Sequence, residues 1–370
     1  MSIERKGMPQ TDWTLLAAAL CLVAFGLTMV LSASGIMAEK FYADAYYFFK
    51  RQLLFALLGG LVMLSAASLP RKVLYQLVYP ALFLALSMVV LTLTPLGVNI
   101  NGARRWLGLG AFSLQPMEFA KIALVLYLGY FLSTKQELVK TFSKGVIPPF
   151  AVTGLFCLLL LLQPDFGAAA VLTLLLFFMC LVGGTRLIYL IASALLASGA
   201  AWLLIVQSPY RSRRLLAFLD PFKDAQDTGY QLVQSLFAMG SGGIGGQGLG
   251  AGKQKLFFLP EAHNDFIMAV VGEELGFVGM SFFFLLMGVL LWRAFLVAYR
   301  QQELRDRLTA FGLALILTLG SVLNLAVVMG AAPPKGVAMP FMSYGGSSML
   351  ASCLCVGLLL NFARTAEGRA

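Results

Sequence analysis

Charge is what this chain has least of. Of its 370 residues only 12% are Asp, Glu, Lys or Arg, and there is one histidine, His263. A single histidine argues against a histidine-based structural zinc site. The five cysteines, Cys21, Cys157, Cys180, Cys353 and Cys355, all lie inside apolar runs. They read as small core residues, not as disulfides or metal ligands, and Cys353 and Cys355, two apart on a helix, face different sides. No GxxxxGK[ST] phosphate loop occurs. What is present is apolar: 59% of the residues are hydrophobic and the mean hydropathy is +0.85. That composition excludes a water-soluble domain and indicates an all-α polytopic membrane protein, read as one membrane domain over 1–370.

Apolar runs long enough to cross a hydrocarbon core of about 30 Å recur along the whole chain. They predict about ten spans: 13–34, 52–69, 73–95, 117–134, 146–163, 167–184, 187–208, 266–296, 308–331 and 341–363. The first exceeds the apolar core of a signal peptide and is kept as a span. An even number puts both termini on one side. Arg5, Lys6, Arg71, Lys72, Lys135, Lys140, Lys144, Arg186, Arg293, Arg300, Arg305, Arg307, Arg364 and Arg369 then share the N-terminal side. They outnumber Lys40, Lys50, Arg51, Arg104, Arg105 and Lys335 in the short opposite loops, so both termini are expected in the cytoplasm. The long outer loop, 209–264, carries Arg211, Arg213, Arg214, Lys223, Lys253 and Lys255. Long loops translocate regardless of charge, and outward cations beside a bilayer suit lipid phosphates or pyrophosphates.

Charges within or beside spans are costly and therefore candidates for function. In NINGARRWLGLGAFSLQPMEFAK (99–121), a glycine-rich loop enters a helix at Pro116, where Glu118 and Lys121 share a face. They form either a structural ion pair or, with Arg104 and Arg105, part of an anionic head-group site. Asp165, between Pro164 and Gly167, either caps the next helix or stands as an acid at the outer mouth. The glycines from 240 to 252 offer unobstructed amides that could surround phosphate, or belong to a mobile surface loop. In MGAAPPKGVAMPFMSYGGSS (329–348), three prolines interrupt a span beside Lys335, and SYGGSS, with Ser343 and Tyr344, suggests a cavity wall or close helix packing. In LPEAHNDF (259–266), Asn264 or Asp265 suits a helix N-cap.

The runs YQLVQSLFAMGSGG, GQGLG, QKLFFLPEAHNDFI, GEELGFVG and PPKGVAMPFMSYGGSS, preceded by NGARRW and QPMEFAK, together resemble the SEDS family (shape, elongation, division and sporulation). LPEAH is similar to the cell-division branch, where the elongation branch usually has LPERH. Asn264 stands where the family usually has threonine, as does Pro334.

The resemblance implies a peptidoglycan glycosyltransferase of the bacterial cytoplasmic membrane. It would polymerise lipid II into glycan on the outer face, for the septal wall, and release undecaprenyl pyrophosphate. It implies Asp265 as the essential acid. A carboxylate there can take the proton from a sugar hydroxyl attacking the anomeric carbon, inverting an α-linked donor to a β-linkage. Lys121, Arg104, Arg105, Arg211, Arg213 and Lys335, with His263, Ser343 and Tyr344, are candidates to hold substrate and its leaving pyrophosphate. Glu118, Asp165, Glu261, Glu273 and Glu274 are supporting candidates. The last two would pair with a cation in the cavity or bind a divalent ion, Mg or Mn, although no cofactor is firmly implied. Partners implied are the glycan strand, a class B penicillin-binding protein transpeptidase, other divisome proteins and membrane lipids, not nucleic acid. A lipid II flippase and a non-catalytic divisome scaffold remain alternatives.

Overall fold

The structure, a computed structural model, describes residues 11–100, 102–110, 112–227, 229–256, 258–334 and 336–366. Lys335 and the side chain of Arg211 fall outside the described residues. The chain forms helices because an apolar run in lipid must satisfy its backbone internally. In order these are α1 (Trp13–Tyr42), α2 (Tyr47–Ser68), α3 (Arg71–Gln76), α4 (Val78–Leu91), α5 (Pro116–Thr134), α6 (Ile147–Leu162), α7 (Phe166–Val182), α8 (Leu187–Val206), α9 (Pro209–Leu219), α10 (Tyr230–Gly242), α11 (Ile267–Tyr299), α12 (Leu304–Val328) and α13 (Gly346–Ala366). A π-helical turn, Phe142–Val146, leads into α6. Among the described residues eight helices are long and apolar enough to cross a membrane: α1, α2, α5, α6 with its π-turn, α8, α11, α12 and α13. Helices α4 and α7 are apolar but shorter.

Three expected spans differ from the helices found. The run 73–95 is divided at Leu77, because Pro80 has no N–H for the carbonyl of Gln76 and its ring crowds that carbonyl. The last helix begins at Gly346, after an irregular stretch in which Phe341 has φ +65°. Helix α11 spans 33 residues but is broken at Gly276 (φ 60°, ψ −155°), a conformation that only glycine adopts without strain. The glycine-rich stretch before α5 is more ordered than a loop. It forms an antiparallel meander of β1 (Gly97–Ile100), β2 (Ala103–Leu109) and β3 (Phe112–Leu114), pairing Gly97 with Leu107 and Leu107 with Leu114.

Helices α5, α12 and α13 form the buried centre of the bundle. Helix α2 packs on α13, α1 on α11, and α5 on α12. Small residues bring the backbones together: a β-carbon at Gly129 would lie 2.4 Å from the Thr309 hydroxyl. Cys353 lies against Gly59 in the α2–α13 contact, packed as a small core residue. Helix α8 is peripheral, and Leu187, Ile188, Ile191, Leu195 and Leu196 are exposed on it, as suits a helix bathed in lipid.

Candidate active site

Residues 259–266 fold into a tight turn ahead of α11. Glu261 adopts φ +56°, and its carbonyl accepts the N–H groups of Asn264 (3.0 Å) and Phe266 (3.4 Å). The carbonyls of residues 263, 264 and 265 are each held from another part of the chain. His263 O accepts the Tyr344 N–H at 2.9 Å, Asn264 O the Ser343 hydroxyl at 2.7 Å, and Asp265 O the Asn324 side-chain amide at 2.8 Å. The same Asn324 amide donates to Val337 O at 2.7 Å. Buried Gln52 of α2 completes the frame, donating to Ser343 O and accepting from Gly345 N–H, each at 3.1 Å. Two uncharged amides and a hydroxyl therefore fix the backbone of Asp265 and the irregular stretch 337–345 against one another.

With its backbone so held, Asp265 presents a carboxylate that makes no hydrogen bond among the described residues. It is not a helix cap: the N-cap of α11 is Phe266, with no side-chain cap bond. Its Oδ2 lies where a side chain at Gly336 would intrude, 3.2 Å from a β-carbon built there. Burial and then the Glu261 charge push the Asp265 carboxyl up to about 7, while Arg105 opposes and Asp165 adds to the rise. Those influences put Glu261, Arg105 and Asp165 around the same cleft.

Arg105, on β2, reaches the α6–α7 turn. It donates to Pro164 O at 2.6 Å and to Gln163 O at 3.4 Å, and its Nε lies 3.5 Å from Asp165. Asp165 also caps α7, accepting Ala168 N–H at 3.0 Å. Its burial raises its carboxyl pKa, against the pull of Arg105. Lys121 and Glu118 form the ion pair that their spacing predicts, 2.8 Å to both carboxylate oxygens, close enough for each charge to act on Asp165.

Several expected site residues have other duties. Ser343 is buried, and its hydroxyl both donates to Asn264 O and accepts Met339 N–H at 2.8 Å, so its position is that of a clamp rather than a substrate contact. His263 is buried, its ring 4.9 Å from that of Phe48 and 5.7 Å from that of Tyr344. Burial lowers its pKa, which keeps the imidazole neutral. Arg104 and Arg213 are exposed. Lys335 and the Arg211 side chain lie outside the described residues.

Glu273 and Glu274 do not fit a divalent ion, because protein donors already occupy them. Glu273 Oε1 accepts the N–H of Lys253 at 2.7 Å and that of Gln254 at 3.2 Å. Glu274, fully buried, pairs with Lys255 at 2.6 Å and accepts from the Ser32 hydroxyl (2.5 Å) and Gly250 N–H (3.0 Å). The glycine-rich stretch is correspondingly neither a phosphate cradle nor a free loop. It folds into the break of α11, where Gln247 and Gly248 donate to the carbonyls of Glu273 and Glu274. A β-carbon at Gly246 would lie 2.1 Å from Glu274 O.

Arg214 of α9, one of the outer-loop cations, donates to Pro334 O at 3.5 Å. Two contributors escaped the sequence reading, Gln52 and Asn324. The available signal was an uncharged polar side chain inside an apolar span.

A model of the FtsW/RodA/SpoVE cell cycle protein family matches residues 12–368. A probable peptidoglycan glycosyltransferase FtsW of Trichlorobacter lovleyi is 44% identical over 96% of this chain and 93% of its own length. Among solved structures, a chain of a peptidoglycan synthase complex that coordinates polymerization and crosslinking superposes with a TM-score of 0.80 and 33% identity, covering 96% of this chain and 98% of its own. The rod shape determining protein RodA of Thermus thermophilus gives a TM-score of 0.72 at 31% identity, covering 96% and 97%.

Proposed function

This chain belongs to the FtsW/RodA/SpoVE family of cell cycle proteins, and on that premise we propose how its Asp265 cleft serves as the active site of a peptidoglycan glycosyltransferase. It polymerises lipid II for the septal wall, consistent with its similarity to FtsW-type glycosyltransferases. The observation that carries the assignment is the pairing of a rigidly held backbone with a carboxylate at residue 265 that makes no hydrogen bond among the described residues. A general base must be positioned to fractions of an ångström and left free to accept a proton near neutral pH. Asp265 takes the proton of the attacking sugar hydroxyl. The hydroxyl oxygen bonds to the anomeric carbon as the bond to the lipid pyrophosphate breaks, with inversion. Arg105 and Lys121, beside Asp165 in the same cleft, together with Lys335 and Arg211, supply positive charge for the leaving pyrophosphate. Exposed Arg104 and Arg213 are further candidates to meet the anionic substrate, and Tyr344, whose N–H holds His263 O, is a candidate to touch it beside the base.

Helices α4 and α7 serve as two further crossings, since fourteen and seventeen residues rise about 21 and 25 Å. Ten crossings put both termini in the cytoplasm and the cleft outside, with the 209–264 segment between the seventh and eighth crossings as part of one membrane unit. The match to a polymerization and crosslinking complex supports a crosslinking partner, specifically a class B penicillin-binding protein within the divisome. Purified Asp265→Asn protein, folded and still able to engage that partner, is expected to make no glycan from lipid II. Polymer formed by the variant at the wild-type rate would overturn the assignment, and a wild-type protein that translocates lipid II without making polymer would point to a flippase.

A further inference from the structure

The far end of the bundle holds a second cationic site that the polymerase cleft does not use. Arg305 begins α12 and Asn324 approaches its end, so the nineteen helical steps from one to the other separate the two sites by roughly 28 Å along the helix. At the Arg305 end an open cavity of about 560 Å³ is lined by Lys72, Tyr75, Gln76, Tyr79, Tyr130 and Arg305.

The charges around it are unequal. The acid beside it, Asp306, is consumed: it pairs with Arg71 and accepts the Tyr75 hydroxyl at 2.5 Å. Arg71 in turn reaches the carbonyls of Asn361 and Phe362. Lys72 and Arg305 have no carboxylate partner among the described residues. The Arg305 guanidinium lies on the Tyr75 ring, 3.8 Å from its centroid, and its Nε is buried with no hydrogen-bond acceptor among the described residues. A buried guanidinium nitrogen without an acceptor is costly, and an anionic oxygen in the cavity relieves that cost. Tyr79 meets Tyr130 edge-on, 5.9 Å between centroids, the aromatic signature of the membrane–water boundary. From Tyr79 the exposed face of α4 continues one turn on to Phe83 and Leu84, 73% and 60% exposed, an apolar track leading out of a cationic pocket.

We propose that this cavity binds the phosphodiester head group of an anionic membrane lipid. Lys72 and Arg305 hold the phosphate oxygens, the tyrosines flank the head group, and an acyl chain lies along Tyr79 and Phe83 of α4. Basic pockets between helices near a membrane surface have the chemistry for such head groups. The site is independent of Asp265 and of any step in glycan transfer.

Native mass spectrometry of the full chain in detergent, titrated with phosphatidylglycerol or with phosphatidylcholine of equal chain length, tests this. The wild type is expected to retain phosphatidylglycerol selectively. Each cation removed is expected to weaken binding roughly fivefold, so Lys72→Gln/Arg305→Gln loses about 25-fold. Lys140→Gln/Lys144→Gln, which removes two exposed cations from the same end of the bundle, is expected to bind as the wild type does. Equal losses in both double variants, or a loss in neither, would overturn the proposal. Should Arg305→Gln unfold the protein, Lys72→Gln alone decides, and unchanged affinity in that folded variant overturns it. Displacement of the lipid by millimolar glycerol phosphate would leave a phosphate site but overturn the lipid as its occupant; resistance to it supports the lipid.

Discussion

Asp265 titrates near 7 because burial and Glu261 both disfavour its charge, and its proton uptake therefore sets a pH dependence. Below about 7 the carboxyl is protonated and cannot take a proton from a sugar hydroxyl, so kcat/KM is expected to rise through that pH on its acid side. Glu261→Gln removes one of the charges that raises the Asp265 pKa and is expected to move this limb to lower pH, with little change in the plateau rate. A pH–rate profile that does not move would sever Glu261 from the base. Replacement of Asp265 by Asn is expected to reduce polymerisation by at least about a hundredfold, the lower range for a lost general base, measured as glycan made per folded enzyme. Asp165, Glu118 and Lys121 were legible in the sequence because a charge in an apolar chain stands out, and Asp265 through the family resemblance carried by its LPEAHNDF setting. Asn324 and Gln52 were not, since an amide perturbs hydropathy much less, although these two amides hold the backbone of Asp265 and of Ser343. Asn324→Ala is expected to lower kcat more than it raises KM, because it releases Asp265 and Val337 together. A pure KM effect would assign Asn324 to substrate binding instead.

The break in α11 is the element whose meaning changed most between sequence and structure. Residues 266–296 read as one continuous apolar span, and neither the break at Gly276 nor the use of the preceding glycines is visible in periodicity. Those glycines are needed for close approach: Gly242 packs on the Gly272 carbonyl and Gly246, at φ +77°, on that of Glu274. The interpretable hint was the placement of Glu273 and Glu274, two acids in an apolar run before a glycine. Lys255 and Glu274 are 3% and 0% exposed, so removing one partner strands the other charge. Glu274→Gln or Lys255→Met is expected to cost roughly 3 to 5 kcal/mol. Replacing both residues by Met is expected to cost less than the sum of the single changes. Reversible unfolding in mixed micelles measures both quantities, and additive losses would show that the pair is not a unit.

At the scale of the molecule, the all-α polytopic architecture and the approximate places of its apolar segments were legible, because lipid imposes length and apolarity on every crossing; of the ten spans expected, eight correspond to helices of crossing length among the described residues. Which helices touch was not, since all faces of such helices are apolar. The orientation has a direct measurement. In a chain lacking its native cysteines, a cysteine replacing exposed Lys223 is expected to react with a membrane-impermeant maleimide in intact spheroplasts. One replacing exposed Lys140 is expected to react only after permeabilisation. The reverse pattern would invert the proposed topology.

The helix pairing also constrains the order in which the molecule can be made. Helix α1 rests on α11 and α2 on α13, so the earliest segments to leave the ribosome find their main neighbours among the latest. At about 5 to 20 residues per second, the interval between Ser68 and Gly346 is roughly a quarter of a minute to a minute. Throughout that interval Gln52 lacks Ser343 and Gly345, the groups its amide meets in the finished bundle. An unsatisfied amide in hydrocarbon is expensive, so an escort for the first hairpin, from the insertion machinery or from provisional contacts, is the expected outcome. Ribosomes stalled before residue 343 should hold α2 within crosslinking distance of that escort, and release of the completed chain should end the contact.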